Sequence, residues 1–251
     1  MFNSQTKKLL LLGFCAVSFS VNAQIRRIDT IATEDINLKP LQSKGQRIYM
    51  YTIAFKAFSL EEFPKILNQV NSDEYLSSFG SGLLLKLNDN QISYRIAGNF
   101  YSKDITFKNE CEECEEANGQ MKDFSTRIGF EKNFVYGAVQ PYLAFDVGYR
   151  RNSFEGEVKN ATALNYTNPY TVNTLKNGLL MSPNLGFKIN PVSHFTLALE
   201  AGMGLLYSYE KQERVYQDMN RTRTFNEFRK WEFLLRPVSM VSLQYNFGLV
   251  Y

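Results

Sequence analysis

Twelve charged side chains sit at positions where a period-two reading of the chain turns them away from its apolar face. Lys56, Lys86, Arg95, Arg127, Arg150, Lys188, Lys230 and Arg236 are the cations; Glu131, Asp146, Glu200 and Glu232 are the acids. Such a set can conduct ions, relay protons, or simply pair up inside a narrow enclosure. Charges taken out of water must be paired, so a paired network filling the interior is the favoured reading and a channel the alternative.

Other chemistry is sparse. His194 is the only histidine, and no Ser-His-Asp arrangement can be built from it near the outer rim. No enzyme is expected, and no cofactor or metal site. Cys111-Glu112-Glu113-Cys114 could be redox-active or hold a metal, but a metal site usually needs a second Cys or His pair. In an oxidising compartment a local disulfide between Cys111 and Cys114 is the simpler expectation. The five acids from Glu110 to Glu116 could attract a divalent cation that bridges lipopolysaccharide phosphates, or be a solvated acidic loop.

The elements that must position these residues are strands. From Val241 to Tyr251 large apolar residues alternate with Ser242, Gln244, Asn246, Gly248 and Val250. Going backwards, Leu235, Phe233 and Trp231 keep the phase, against Arg236, Glu232 and Lys230. A period of two is a β-strand with one greasy face. Seven more segments read the same way: 46–58, 79–87, 91–103, 121–132, 139–153, 178–189 and 194–209, with 229–251 as the eighth. The outward apolar sets include Tyr49, Tyr51, Ile53 and Phe55; Ile92, Tyr94, Ile96 and Phe100; and Leu197, Leu199, Met203 and Leu205. Pro237 stays in phase on both sides, which favours one long last strand over two short ones.

Short links at 88–90, 133–138 and 190–193 alternate with long ones at 59–78, 104–120, 154–177 and 210–228. This is the asymmetry of an outer-membrane barrel with periplasmic turns, extracellular loops and both termini periplasmic. A soluble barrel of the same strand count would put Leu, Val and Phe inside. Here the other set carries charge on every strand. Aromatics at 14% could furnish interfacial girdles. A mean hydropathy of −0.29 is compatible, because a barrel hides its apolar half in alternate positions.

Lys7 and Lys8, the apolar run Leu9–Val17 and Val21-Asn22-Ala23 read as a secretory signal peptide over residues 1–23. Cys15 is a poor lipoprotein site because Phe14 precedes it. Without residues 1–23 the chain has 26 basic and 25 acidic residues, which gives no argument for nucleic acid. Residues 24–45 read as a polar periplasmic segment, and 46–251 as the barrel. In the first long loop Ser59 and Glu62 fit a capping box, and Phe63, Ile66, Leu67 and Val70 would share one helical face. A short helix there would cap the barrel or dock a partner.

Three stretches carry a likeness to a known family: Pro141–Tyr149, the hairpin Ser182–Glu200 and the terminal Val241–Tyr251. In them the chain resembles the eight-stranded outer-membrane barrels, such as the OmpA transmembrane domain, OmpX and the small outer membrane protein β-barrel domain proteins. The resemblance extends over about residues 46–251, and no peptidoglycan-binding domain is expected after the last strand. It implies an all-β, transmembrane, antiparallel up-and-down barrel of eight strands in the cell outer membrane, in contact with lipid and lipopolysaccharide. The expected role is structural, adhesive or that of a complex subunit, exerted through loops 59–78, 104–120, 154–177 and 210–228 toward another outer membrane or extracellular protein. A narrow porin-like channel is the alternative.

Overall fold

A computed structural model of the chain describes residues 49–62, 64–67, 75–89, 91–109, 115–135, 137–160 and 169–249. The signal peptide, the segment 24–45 and the Cys111–Cys114 pair lie outside the described residues. Eight strands follow in order: β1 (Tyr49–Glu62), β2 (Tyr75–Asp89), β3 (Ile92–Asn109), β4 (Glu115–Asn133), β5 (Val139–Asn160), β6 (Tyr170–Val192), β7 (Phe195–Tyr216) and β8 (Arg223–Leu249). Each pairs antiparallel with its sequence neighbours, and β8 returns to β1 to close the barrel. Closure leaves no strand at an open edge in the lower half, where β1 meets β8 from Tyr49↔Leu249 to Leu60↔Val238.

The strands are longer than the apolar alternation alone suggests, so most of the expected long loops are wall. β3 and β4 stay in register from Ile92↔Lys132 to Asn109↔Glu115, and β5 and β6 from Val139↔Ile189 to Val158↔Tyr170. Stretches 104–120, 154–177 and 210–228 are therefore mainly strand, and the connections shrink to 110–114, 161–169 and 217–222. In the last of these, Asp218 accepts hydrogen bonds from the Thr222 amide (2.9 Å) and hydroxyl (2.7 Å). Those bonds hold its carboxyl below the usual range and make a tight turn.

The first long loop departs most from expectation. Ser59 and Glu62 are not a capping box: they are strand residues, paired Ser59↔Ser78 and Glu62↔Tyr75, with the two serine hydroxyls 2.8 Å apart. Pro64 to Leu67 is not helical, and Phe63 and Val70 lie outside the described residues. Pairing with β2 satisfies the backbone that the capping box would otherwise have served.

Wall polarity reverses along the strands. On β5, Val139, Leu143, Phe145, Val147 and Tyr149 face out, and Asp146 and Arg150 face in. Beyond Arg150 the exposed set becomes Arg151, Glu155, Glu157 and Lys159, and the buried set Phe154 and Val158. β6 repeats this, with Leu179 to Ile189 outward at odd positions and Tyr170 and Val172 buried at even ones. The 22 residues of β5 at about 3.4 Å each and a tilt of about 40° rise about 55 Å, against an apolar band of about 25 Å. The 11 positions from Val139 to Tyr149 fill that band; the rest stands clear of it.

Aromatic residues mark both margins of the band. At the short-turn end Tyr51 stacks on Phe247 (5.5 Å between centroids) and Phe195 packs against Tyr245 (5.4 Å). At the other margin Trp231 lies 4.7 Å from Tyr207. Two outward assignments are corrected. Tyr49 is buried, its ring 4.9 Å from that of His194. Met203 is buried beside the irregularity at Glu200/Gly202, where β8 carries extra residues around Pro237. β8 nevertheless runs unbroken through Pro237, with even positions turned inward on both sides of the irregularity and Ser239 and Met240 both buried within it.

Candidate functional site: a charged and plugged interior

All eleven of Lys56, Lys86, Arg95, Arg127, Glu131, Asp146, Arg150, Lys188, Glu200, Glu232 and Arg236 are buried inside the barrel; Lys230 is partly so. Apart from Arg127, they fall into three groups. In the lowest, Glu131 on β4 takes Lys86 at 2.6 Å, contacts the Lys188 ammonium, and has Arg95 at 3.6 Å. Arg95 in turn donates Nε to Asp146 (2.6 Å) and Nη1 to Glu200 (2.6 Å). Tyr142 closes the group: its hydroxyl donates to Glu200 at 2.9 Å, and its ring lies under Lys188 (4.8 Å) and Lys86 (5.6 Å). Opposite Tyr142, Gly186 leaves the ring room; a Cβ there would sit 2.3 Å from it.

The middle group turns on Glu61, which sequence reasoning placed in a loop. Its carboxylate meets Arg236 at 2.9 Å, Lys56 at 3.4 Å and Arg150 at 3.5 Å. Arg150 also binds Asp123. In the upper group Lys176 pairs with Glu232 (2.5 Å), and Lys230 with Glu210 (2.8 Å) and Glu232 (3.4 Å). Lys176 and Glu210 were missed because they fall in the supposed loops, whereas Asp123 lies within the expected strand 121–132 and was not counted among its inward charges; each keeps the inward phase of its strand.

Above these groups the tip of the β1–β2 hairpin leaves the wall. Pairing of β2 with β3 stops at Gly82↔Asn99, and that of β1 with β8 at Leu60↔Val238. The bulge between Lys56 and Phe58 and the left-handed Gly80 (φ 60°) bend the hairpin at this height. The tip turns inward. Glu62 Oε2 accepts the Leu235 amide at 2.7 Å, and the Lys65 carbonyl accepts from Lys176 (3.1 Å) and Lys230 (3.2 Å). Ile66, Leu67 and Leu76 pack into one apolar cluster with Phe107, Ala117, Met121, Phe154, Val158, Tyr170 and Val172. Leu67 is held there at φ 58°, a conformation leucine rarely adopts. The lumen is thus filled by salt bridges below and stoppered by a small apolar core above.

His194 sits between Tyr49 and Tyr245, its Nδ1 3.0 Å from the Asn246 carbonyl, at the short-turn end. The rings and the backbone carbonyl account for its position, and the long-loop rim is at the other end of the wall.

No family model matches the chain, and no curated protein does. Among solved structures it is similar to the crystal structure of a major outer membrane protein from Thermus thermophilus, at 10% identity and a TM-score of 0.48, covering 78% of this chain and 99% of that one.

Proposed function

We propose that the protein is a small integral barrel of the outer membrane, exported by the segment 1–23, with a closed lumen and a structural or partner-binding role. The observation that carries this is the reversal of wall polarity. A band about one bilayer high is apolar outside and charged inside, and the wall beyond it is polar outside and closes over an apolar cluster inside, above the last ion pairs. In water the lower band would expose Leu83, Ile96, Ile128, Leu185 and Leu243 side by side over the whole circumference; such a surface calls for lipid. The outer half and its connections then form the face open to lipopolysaccharide, glycans or another protein, and the aromatic girdles sit where headgroups meet hydrocarbon.

The filled interior supports a structural role over transport. Eight strands leave room for side chains and little else, and here the charged side chains other than Arg127 are paired and the mouth carries Ile66 and Leu67. The purified protein in planar bilayers is expected to give no steady unitary currents. Steady currents would overturn the closed reading in favour of a narrow pore, and charge reversal at Arg127 or Glu200 should then alter ion selectivity.

A further inference from the structure

We propose that the outer edge of β8, from Arg223 to Trp231, docks an extended, acidic segment of a partner polypeptide, which adds to the wall as a further strand. The wall is open there. Pairing of β8 with β1 ends at Leu60↔Val238, and that of β2 with β3 at Gly82↔Asn99. On its other side β8 stays paired with β7 without a shift from Gly202↔Arg236 to Val215↔Arg223. The inward residues Thr224, Asn226 and Phe228 are only half-buried, whereas Glu232, Leu234 and Arg236 lower down are buried.

Free backbone donors face this opening. The Leu235 amide donates to Glu62 Oε2 of the hairpin tip at 2.7 Å, so it points away from β7. Alternate residues of a strand turn their amides to the same side, which puts those of Phe233, Trp231, Arg229, Glu227 and Phe225 there as well. Among the described residues no strand pairs with them on that side. A long edge is ordinarily blunted by a proline or a bulge. Here both lie lower, at Pro237 and at the irregularity between Glu200 and Gly202, and Arg223–Trp231 has neither.

Apolar surface gathers at the same place. Among the described residues the most exposed aromatic side chains are Phe79 (77%), Phe225 (70%), Trp231 (63%) and Phe100 (61%), and all four stand on the strands that border the opening. Trp231 belongs to the aromatic margin of the membrane band. Phe225 does not: Arg229 is joined in register through Tyr209 and Asn177 to Arg151, the first polar outward residue of β5, and Phe225 lies farther out along β8.

The occupant follows from the edge. Backbone donors repeating about every 7 Å are met by the carbonyls of another strand. The charge follows from the side chains. Arg229 lies over the Tyr209 ring and has no carboxylate within ion-pair distance among the described residues, because Glu227 is taken by Lys211. Arg223 has Glu213 alone, at 3.6 Å and partly exposed. Opposite charges across neighbouring strands stabilise their pairing, so acidic residues in the partner suit both arginines.

This site rests on the membrane reading above, which puts Arg223–Arg229 outside the bilayer. The test uses the full chain in lipid nanodiscs. The probe is a fluorescent peptide as long as Arg223–Trp231 in which glutamate alternates with valine. Its twin is N-methylated at two adjacent central residues, which blocks both of its edges. The probe should bind about tenfold or more tighter than the twin, as the loss of two backbone hydrogen bonds implies, and should slow amide exchange at Phe225, Glu227 and Arg229. Arg229→Glu should weaken binding, and Glu227→Pro, which removes one donor facing the opening, should abolish it. Should the proline variant not fold, the comparison of probe and twin on the natural chain decides. No binding, equal binding of probe and twin, or protection confined to other strands would overturn the site. Slow exchange of the same amides without peptide, in a chain that dimerises, would give the edge to a second copy and overturn the partner. Failure of the peptide with spin labels still reporting an inserted band would sink the docking site alone.

Discussion

Glu131→Gln is expected to destabilise the folded barrel by about 3–5 kcal/mol, the usual consequence of removing one partner from a buried ion pair. Glu131 is fully buried and stands between two ammonium groups, Lys86 at 2.6 Å and Lys188, with the Arg95 guanidinium at 3.6 Å. Glutamine keeps the shape and removes the charge, so two lysines are left facing each other in the narrow lumen. It also puts an amide NH2 where both neighbours donate. The remaining acids cannot substitute, because Asp146 and Glu200 are held by Arg95. Urea unfolding followed through Trp231, the single tryptophan, measures the loss. Adding Lys188→Met to Glu131→Gln should recover a good part of it, since the double variant removes the unanswered charge along with its partner. A single variant as stable as the natural protein would mean that the interior is wet enough to screen these charges.

Ile128→Arg is expected to cost about 2–4 kcal/mol in a bilayer, as for a cation placed on the lipid face near mid-membrane. Ile128 is 63% exposed in the middle of the apolar band on β4, between Phe124 and Phe130. Were that face in water, the same change would fall within about 0.5 kcal/mol of neutral, as most surface substitutions do. Glu155→Arg is the matched control. Glu155 is exposed on the outer half of β5, beyond the band, and its replacement should leave the unfolding free energy within about 0.5 kcal/mol of the natural value. The contrast between the two positions is what matters. A wall wholly in lipid would penalise both, and a wall wholly in water neither.

The band was legible in the sequence because its physics writes a simple code. One face meets lipid and the other a charged interior, so hydrophobicity alternates with period two and the turns interrupt it. Every inward charge read from that code lies inside the barrel. The outer half was illegible for the same reason. On β5 the apolar residues shift from odd positions (Val147, Tyr149) to even ones (Phe154, Val158); on β4 they shift from Phe124 and Ile128 to Met121 and Ala117; on β3 from Phe100 to Ile105 and Phe107. The strands run straight through, but solvent and core have changed sides, so the alternation appears to break. A phase inversion of this kind looks like the end of a strand when only one face is expected to be greasy. Read as a pair of opposite phases on one strand, it would have placed Lys176 and Glu210 inside. Glu61 was beyond reach by any pattern. It comes to Arg236 and Arg150 only because the bulge after Lys56 turns the hairpin tip into the lumen, and nothing local in Ser59-Leu60-Glu61-Glu62 specifies that path.

The polarity reversal is tested most directly by solvent accessibility along one strand. Single cysteines, each carrying a spin label, would be placed at Leu143, Phe145, Val147, Tyr149, Arg151, Ser153, Glu155 and Glu157 of β5 in the protein reconstituted into lipid vesicles. Collisions with oxygen should dominate from Leu143 to Val147, with a crossing between Tyr149 and Arg151. A water-soluble nickel complex should dominate from Ser153 to Glu157. Uniform access of the nickel complex to all eight positions would contradict the membrane band, and uniform protection from it would contradict an outer half standing clear of the bilayer.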